Sequence, residues 1–238
     1  MITLKTITTI ELSNACNLSC RYCINRLMRK SGVRDIGIMS DETFERCLYW
    51  LDILCRHGTQ KEVNLNGNGE SCLDPKLPER IRAVKDVVGE RRVCMCTNGV
   101  NMTEDLAFRI KDAGIDQLDL SPHSPYHARK AVIMMYGKAG LPGIVNGGSI
   151  LTSHNWAGQL EPENSIDMIY TSRCDPLIDG RGYIQKEGNV SPCCYDYRNL
   201  GTFGTVYDED LLQKEIKPYI LCKTCHQIIP EDILKGAV

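Results

Sequence analysis

The first 122 residues alternate between short apolar runs and longer segments in which apolar residues recur every three or four positions. A short run predicts a buried strand, and the longer recurrence predicts a helix that packs one face against a core. The predicted strands are Ile7 to Leu12, Glu62 to Asn66, Arg92 to Cys96 and Gln117 to Leu120. The predicted helices lie between them, at Ser40 to Gly58, Leu77 to Val88 and Thr103 to Ala113.

Helix-capping residues agree with these bounds. Ser40 and Thr103 are of the type that accepts a hydrogen bond from the first helical turn, and Gly89 follows the second helix where a glycine commonly ends one. The connections are short, so the alternation of strands and helices predicts an α/β fold with a parallel sheet and helices packed outside it. In such sheets the loops at the carboxyl ends of the strands form the functional site.

The pattern changes after residue 122. Tyr126 to Gly137 is predicted to be a further helix, and Ile144 to Thr152 a further strand. From Cys174 onward the chain is rich in turn residues and cysteine, which predicts a small second module. We therefore predict two domains, at residues 1–160 and 161–238.

Composition places the chain among ordinary globular proteins, with one exception. Of its 238 residues 42% are hydrophobic and 24% are charged, and the net charge of −2 gives no reason to expect a nucleic-acid partner. No apolar run is long enough to cross a bilayer, and the first residues lack the charged-then-apolar pattern of a signal peptide. The exception is the 13 cysteines, which here predict a reducing cytoplasm and bound metal rather than disulfides.

The cysteines nearest the start form a compact group. Cys16, Cys20 and Cys23 follow the predicted strand Ile7 to Leu12 directly, and a basic stretch that we expect to be mobile, Arg26 to Arg34, comes next. Three thiolates in one loop can face a common centre, and soft sulfur ligands select zinc, copper(I) or iron–sulfur clusters. A four-iron cubane normally takes four thiolates, so three would leave one iron free to bind another molecule. A zinc site and three unrelated buried thiols are the alternatives.

This segment, with the aromatic Tyr22 before its last cysteine, resembles the cluster motif of the radical S-adenosylmethionine (SAM) enzymes. The resemblance implies a 4Fe–4S cluster on Cys16, Cys20 and Cys23 whose open iron binds SAM. In that family SAM is cleaved to a 5′-deoxyadenosyl radical, which abstracts hydrogen from a substrate. The resemblance also implies a partial, open TIM-like (β/α) barrel of parallel strands and a flavodoxin- or ferredoxin-type electron donor.

Three further segments resemble SAM-binding motifs of that family. Gly67-Asn68-Gly69-Glu70 resembles the Gly-Gly-Glu motif that meets the amino group of SAM, although Asn68 replaces the commoner second glycine. Asn98, in a Thr-Asn-Gly sequence, is expected to bond the ribose or carboxylate of SAM, and Ser121 lies where a polar side chain often meets it. Each has a plainer alternative, since turns and surface serines are common in any protein.

A second group of cysteines lies towards the other end of the chain. Its members are Cys174, Cys193, Cys222 and Cys225. With the turn-rich sequence around them they resemble the SPASM/twitch extension of radical SAM enzymes, in the short twitch form with one auxiliary 4Fe–4S cluster. The length and spacing are most similar to a cyclitol dehydrogenase of that form. Cys194 would be a spare thiol, and a four-thiolate zinc site is the alternative.

These resemblances imply a radical SAM oxidoreductase that dehydrogenates a small molecule or a peptide. A cluster held by four cysteines has no open iron, which suits it to accept the second electron of an oxidation. The alternatives are a radical epimerase in which a thiol such as Cys96 returns hydrogen, a peptide-modifying or activating radical enzyme, and a non-catalytic zinc module that binds a partner. We expect no nucleic-acid or membrane partner, and a cytoplasmic location.

Overall fold

The computed structural model describes residues 1–20, 22–122, 125–145, 159, 174–223 and 225. The strands within these ranges are β1 (Thr6–Ile10), β2 (Val63–Asn64), β3 (Val93–Thr97), β4 (Gln117–Leu120), β5 (Arg181–Ile184), β6 (Asn189–Ser191) and β7 (Gly204–Thr205). They form one open sheet in the order β4-β3-β2-β1-β5-β6-β7. The five neighbouring strands β4, β3, β2, β1 and β5 are parallel to one another. β6 pairs antiparallel with β5, and β7 pairs antiparallel with β6. The predicted α/β fold with a partial, open barrel is therefore confirmed.

The described α-helices are α1 (Ile24–Ser31), α2 (Asp41–Arg56), α3 (Leu77–Val88), α4 (Glu104–Asp112), α5 (Pro125–Val132) and α6 (Asp175–Asp179). The predicted caps of α2 and α4 are observed. Ser40 Oγ accepts from the Thr43 N–H at 3.1 Å, and Thr103 Oγ1 accepts from the Leu106 N–H at 3.1 Å. None of the described helices combines the length and the apolar character needed to span a bilayer.

The main core lies between the sheet and the helices α2 to α4. Val63, Met95 and Leu118, on three neighbouring strands, are almost fully buried there against helix residues such as Leu51 and Ile81. Burying a side chain of this size contributes about 1.5–3 kcal/mol. Alternate residues of a strand face opposite sides, so the intervening strand residues are left facing the concave side of the sheet.

The region after β4 follows the prediction as far as it is described. The predicted helix at Tyr126 to Gly137 is present as α5, which continues in a π-helical turn at Ile133–Lys138. Of the predicted strand Ile144 to Thr152, only the first two residues are described, and the Leu120 N–H donates to Ile144 O at 2.9 Å. Residues 146–152 lie outside the described ranges.

The C-terminal strands extend the same sheet on the other side of β1. β5 pairs in parallel with β1, from Thr6 opposite Arg181 to Ile10 opposite Ile184, and then forms an antiparallel hairpin with β6. The sequence did not indicate this continuity, because it depends on pairing between distant segments. The boundary between residues 160 and 161 lies outside the described ranges and stays a prediction.

The expectation of a mobile stretch at Arg26 to Arg34 is wrong. Most of it belongs to α1, whose residues Ile24 and Met28 are fully buried against Tyr197. Gly32, with φ of +64°, ends the helix in the left-handed conformation that glycine adopts readily. The stretch is therefore ordered by contacts with a residue far along the chain, which local sequence does not reveal.

Candidate active site

One open cleft at the carboxyl ends of β1 to β4 brings together the first cysteine group and every predicted SAM contact. These residues are Cys16, Cys20, Tyr22, Cys23, Gly67, Asn68, Gly69, Glu70, Asn98 and Ser121. The rest of the described lining consists of Leu18, Asn66, Cys96 and Thr97. Four separate loops thus converge on one volume, as expected for the carboxyl edge of a parallel sheet.

The three thiols of the cysteine loop lie close enough to influence one another. Burial raises the pKa of the Cys16 thiol and raises that of Cys23 to about 11, and the charge of a neighbouring Cys20 thiolate would add to both shifts. Arg29 of α1 holds the loop in shape by donating to Cys16 O at 3.4 Å and to Leu18 O at 2.6 Å. The Leu18 N–H also donates to Cys16 Sγ at 3.4 Å.

Gly67 and Gly69 occupy positions where protein atoms fill the space that a side chain would need. A Cβ on Gly69 would lie 2.4 Å from Ser13 O and 2.5 Å from Ala15 O, and one on Gly67 would lie 2.5 Å from Glu11 Cγ. Real Cβ atoms do not approach other atoms so closely, so only glycine fits without movement. The loop after β2 therefore packs tightly against the loop after β1 while lining the cleft.

The Glu70 carboxylate joins the ends of β2 and β3. It is 4% exposed. Its Oε1 accepts from Thr97 Oγ1 at 2.8 Å and from the Cys72 N–H at 3.1 Å, and its Oε2 accepts from the Asn98 N–H at 2.8 Å. Glu70 was expected to meet the ammonium group of SAM, and the geometry adds a second role, since its hydrogen bonds brace the wall of the cleft.

Asn98 joins the end of β3 to the cysteine loop, and Ser121 joins the end of β4 to that of β3. Asn98 Oδ1 accepts from the Val100 N–H at 2.9 Å, and its Nδ2 donates to Asn17 Oδ1 at 2.8 Å. The Ser121 N–H donates to Thr97 O at 2.8 Å. The Asn-Gly turn that the sequence allowed as an alternative is thus present, and its side chain also contacts the cysteine loop.

The second cysteine group surrounds a separate pocket. The pocket is lined by Cys174, Cys193, Cys222 and Cys225 together with Pro176, Leu177, Pro192, Tyr219 and Leu221. Burial raises the pKa of Cys174 to about 12, and the other three thiols add to the shift. Within the described ranges, no three cysteine, histidine or carboxylate side chains are close enough to enclose a single metal ion. The same holds for the first cysteine group, and the four thiols of the second group share the lining of one pocket.

Backbone N–H groups already point at two of these sulfurs. The Tyr195 N–H donates to Cys193 Sγ and the Tyr219 N–H donates to Cys222 Sγ, each at 3.4 Å. Such bonds favour the thiolate form that a metal or cluster needs. Cys194 is exposed and does not line the pocket, and its role as a spare thiol stays a prediction.

A buried charge network that the sequence analysis missed lies behind the loop Gly67–Glu70. Glu11 is fully buried. Its Oε1 accepts from Tyr183 OH at 2.7 Å and from the Asn68 N–H at 2.9 Å, and its Oε2 accepts from the Lys186 N–H at 3.0 Å and from the Arg34 guanidinium. The available clue was a single charged residue among the otherwise uncharged residues Ile7 to Leu12, because a buried charge requires partners.

This network explains why an asparagine stands at position 68. Asn68 Nδ2 donates to Tyr183 OH at 3.3 Å, and Asn68 O accepts from Asn25 Nδ2 at 2.5 Å. A glycine would keep the backbone bond and lose the side-chain bond to β5. The Asn68 side chain, which replaces the family's commoner glycine, therefore bonds the loop after β2 to the C-terminal part of the sheet.

A family model described as the Radical SAM superfamily matches residues 10–140, a range that contains the cysteine loop and the ends of β1 to β4. The chain belongs to the radical SAM superfamily. The family implies a 4Fe–4S cluster and SAM, and the cleft fits these groups, because three thiols share it with the close-packed backbone of Gly67–Glu70.

Curated relatives match about half of this radical SAM chain. A probable GTP 3′,8-cyclase of Sulfolobus acidocaldarius is 33% identical over 118 residues, which are 48% of this chain and 33% of the relative. The GTP 3′,8-cyclase of Aquifex aeolicus is 30% identical over 115 residues, which are 48% of this chain and 34% of the relative. The match thus spans about a third of the length of these relatives.

Solved structures share the fold over most of the chain. BtrN in complex with AdoMet and 2-DOIA gives a TM-score of 0.68 at 20% identity, covering 88% of this chain and 82% of that one. Native anSMEcpe with bound AdoMet gives a TM-score of 0.60 at 14% identity, covering 92% and 86%. At these identities the likeness concerns the fold.

Proposed function

We propose that this radical SAM chain is an oxidoreductase that removes two hydrogens from its substrate, as in the oxidation of an alcohol to a ketone. The observation that supports the proposal is the pairing of a three-thiol cleft with a separate four-thiol pocket in one sheet. When bound, the cluster and SAM in the cleft would supply a hydrogen-abstracting radical, and an auxiliary 4Fe–4S cluster in the pocket would accept the second electron.

The residues of the chain divide between the two sites. Cys16, Cys20 and Cys23 would hold the first cluster, and Cys174, Cys193, Cys222 and Cys225 the auxiliary one. Tyr22, Gly67, Asn68, Gly69, Glu70, Asn98 and Ser121 would bind SAM or position the loops around it. A flavodoxin- or ferredoxin-type donor and a cytoplasmic location complete the proposal.

Epimerisation is the second candidate, because a thiol lies in the cleft beyond the cysteine loop. Cys96 is on the concave side of β3 and lines the cleft. Burial raises its pKa to about 11, so it is a protonated thiol near neutral pH and has a hydrogen to return to a substrate radical. The two candidates differ in the product, which is two mass units lighter after oxidation and unchanged in mass after epimerisation.

The first test removes the thiols of the cleft. The triple variant Cys16→Ala, Cys20→Ala, Cys23→Ala should keep about half of the roughly eight irons of the reconstituted protein and release no 5′-deoxyadenosine from SAM with dithionite. Cys55→Ala, which lies outside both groups, is the matched control and should retain both. Undiminished SAM cleavage in the triple variant would refute the assignment.

The second test concerns the auxiliary site. Cys193→Ser should lose the iron of the four-thiol pocket, whereas Cys194→Ser should keep it, because only Cys193 lines the pocket. Equal iron in both variants would show that the pocket holds no cluster on Cys193.

Once a substrate has been identified, its oxidation should consume one SAM per turnover. One solvent deuterium gained at carbon in heavy water would favour the Cys96 epimerase instead.

A further inference from the structure

One buried amide, that of Asn25, connects the cysteine loop to the loop after β2. Asn25 is the second residue of α1, and Cys23 is the N-cap of that helix. The residue is 2% exposed. Its Nδ2 donates to Asn14 O at 2.8 Å and to Asn68 O at 2.5 Å. A single side chain therefore bonds the segment after β1 and the loop after β2 at the same time.

The two partners of this amide explain why the residue is an asparagine. Both are backbone carbonyl oxygens of buried residues, Asn14 and Asn68, and carbonyl oxygens only accept hydrogen bonds, so the amide nitrogen faces them. A carboxylate of the same shape would place acceptor against acceptor. An apolar side chain would leave both carbonyls without this bond, and a buried polar group without its partner is costly.

The connection from Asn25 to the cysteine loop is short. The Cys23 N–H donates to Cys20 O at 3.1 Å, and the Arg26 N–H donates to Cys23 O at 3.2 Å. The turn that carries these two thiols therefore continues directly into the first turn of α1. Asn25 follows Cys23 by two positions, so any shift of this end of the helix would move the Cys23 thiol and the Asn25 amide together.

The loop after β2 is bonded to the chain on both sides of the cysteine loop. Before the first cysteine, Ala15 O accepts from the Glu70 N–H at 2.7 Å. After the last cysteine, Asn25 Nδ2 donates to Asn68 O. Asn68 and Glu70 both line the cleft. The two bonds together fix where this wall of the cleft lies relative to the three thiols.

We propose that Asn25 is a positioning residue for SAM, which sets the place of the loop Gly67–Glu70 relative to the cluster ligand Cys23. The proposal rests on the part of the proposed function that places the cluster and SAM in the cleft. A ligand held by two anchors binds tightly when the anchors already have the separation that it spans, because no binding free energy is then lost in moving them. The family implies that SAM is held by the open iron and by this loop, so the bonds of Asn25 should raise the affinity for SAM.

The test compares Asn25→Leu and Asn25→Asp with the wild-type protein. Leucine has a similar volume and no donor, whereas aspartate keeps the shape of asparagine and replaces its donors by acceptors. SAM affinity per reconstituted cluster is measured by calorimetric titration, and the paramagnetic resonance signal of the dithionite-reduced cluster is recorded with and without SAM. We expect both variants to keep their iron and the signal without SAM, and to bind SAM about tenfold more weakly. The signal with SAM should differ from that of the wild type.

Asn64→Leu is the matched control, because Asn64 Nδ2 also donates to a backbone carbonyl, Thr8 O at 3.2 Å, and the residue is not in the described lining of the cleft. It should leave the affinity for SAM unchanged. If one Asn25 variant does not fold, the other decides. Unchanged SAM affinity per cluster would overturn the proposal, and so would loss of the iron of the cysteine loop in both variants, since Asn25 would then support the cluster alone. The proposed function fails separately, if the wild-type protein binds SAM but releases no 5′-deoxyadenosine with dithionite.

Discussion

Replacing Arg34 by methionine should destabilise the fold by about 3 kcal/mol or more, because it removes one partner of a buried ion pair. The side chains of Arg34 and Glu11 are 1% and 0% exposed. Arg34 also donates to Glu187 Oε2, from Nε at 3.1 Å and from Nη2 at 2.6 Å. Methionine fills a similar volume without charge, so the main change is electrostatic.

The expected loss of stability follows from the hydrogen bonds that Glu11 keeps in the Arg34→Met variant. Three donors remain, namely the Tyr183 hydroxyl and the N–H groups of Asn68 and Lys186. They keep its oxygens hydrogen-bonded and place the loss at the lower end of the about 3–5 kcal/mol typical of broken buried pairs. In a chain of this size 1 kcal/mol corresponds to about 2–4 °C, so Tm should fall by about 6–12 °C.

The assay is thermal unfolding of the reconstituted protein under anaerobic conditions, followed by circular dichroism. Arg26→Met is the matched control, because Arg26 is an exposed arginine of α1 and should change stability by about 0.5 kcal/mol at most. A fall in Tm below about 2 °C for Arg34→Met would show that the pair contributes almost nothing to stability, and the assignment of this network as a structural tie would be wrong.

Two further variants test the cleft. Gly69→Ala should reduce SAM binding sharply in calorimetric titration, because its Cβ would lie within 2.5 Å of the carbonyl oxygens of Ser13 and Ala15. The control is Gly37→Ala, whose Cβ would meet open space. Equal SAM affinities of the two variants would contradict the reasoning. Glu70→Ala should weaken SAM binding by about 1–3 kcal/mol and also alter the paramagnetic resonance signal of the cluster, since the carboxylate braces the cleft wall. Weaker binding with an unchanged signal would indicate a direct contact with SAM alone.

Elements with strong local signals were predicted closely from the sequence. The helices α2 and α4 have a capping residue, acidic residues in the first turn and an apolar stripe, and their observed bounds differ from the predicted ones by one or two residues. The helix α1 has no acidic first turn and only a short apolar face, and its burial depends on Tyr197. Local sequence therefore could not distinguish it from a mobile basic stretch.

The cleft shows the same difference between residues with a strong local signal and residues that depend on distant contacts. Residues in motifs with a recognisable spacing, such as Cys16 and Glu70, were placed in it from the sequence alone. The network of Arg34 and Tyr183 behind the cleft was not predicted, because it depends on the buried carboxylate of Glu11, which comes from a distant segment of the chain. A buried polar contact between distant segments leaves little local trace in the sequence, and here the trace was one charged residue in an otherwise uncharged predicted strand.

The two cysteine groups are positioned relative to each other by the pairing of β1 with β5. β1 leads into the cysteine loop, and the hairpin of β5 and β6 leads into Cys193. A register irregularity between Ile7 and Thr9 and the bond from the Glu11 N–H to Ile184 O at 2.9 Å set the alignment. A slip of one residue would turn the Tyr183 hydroxyl to the opposite face, away from Glu11 and Asn68. The strand that leads to the second cysteine group therefore also supports the loop that lines the cleft.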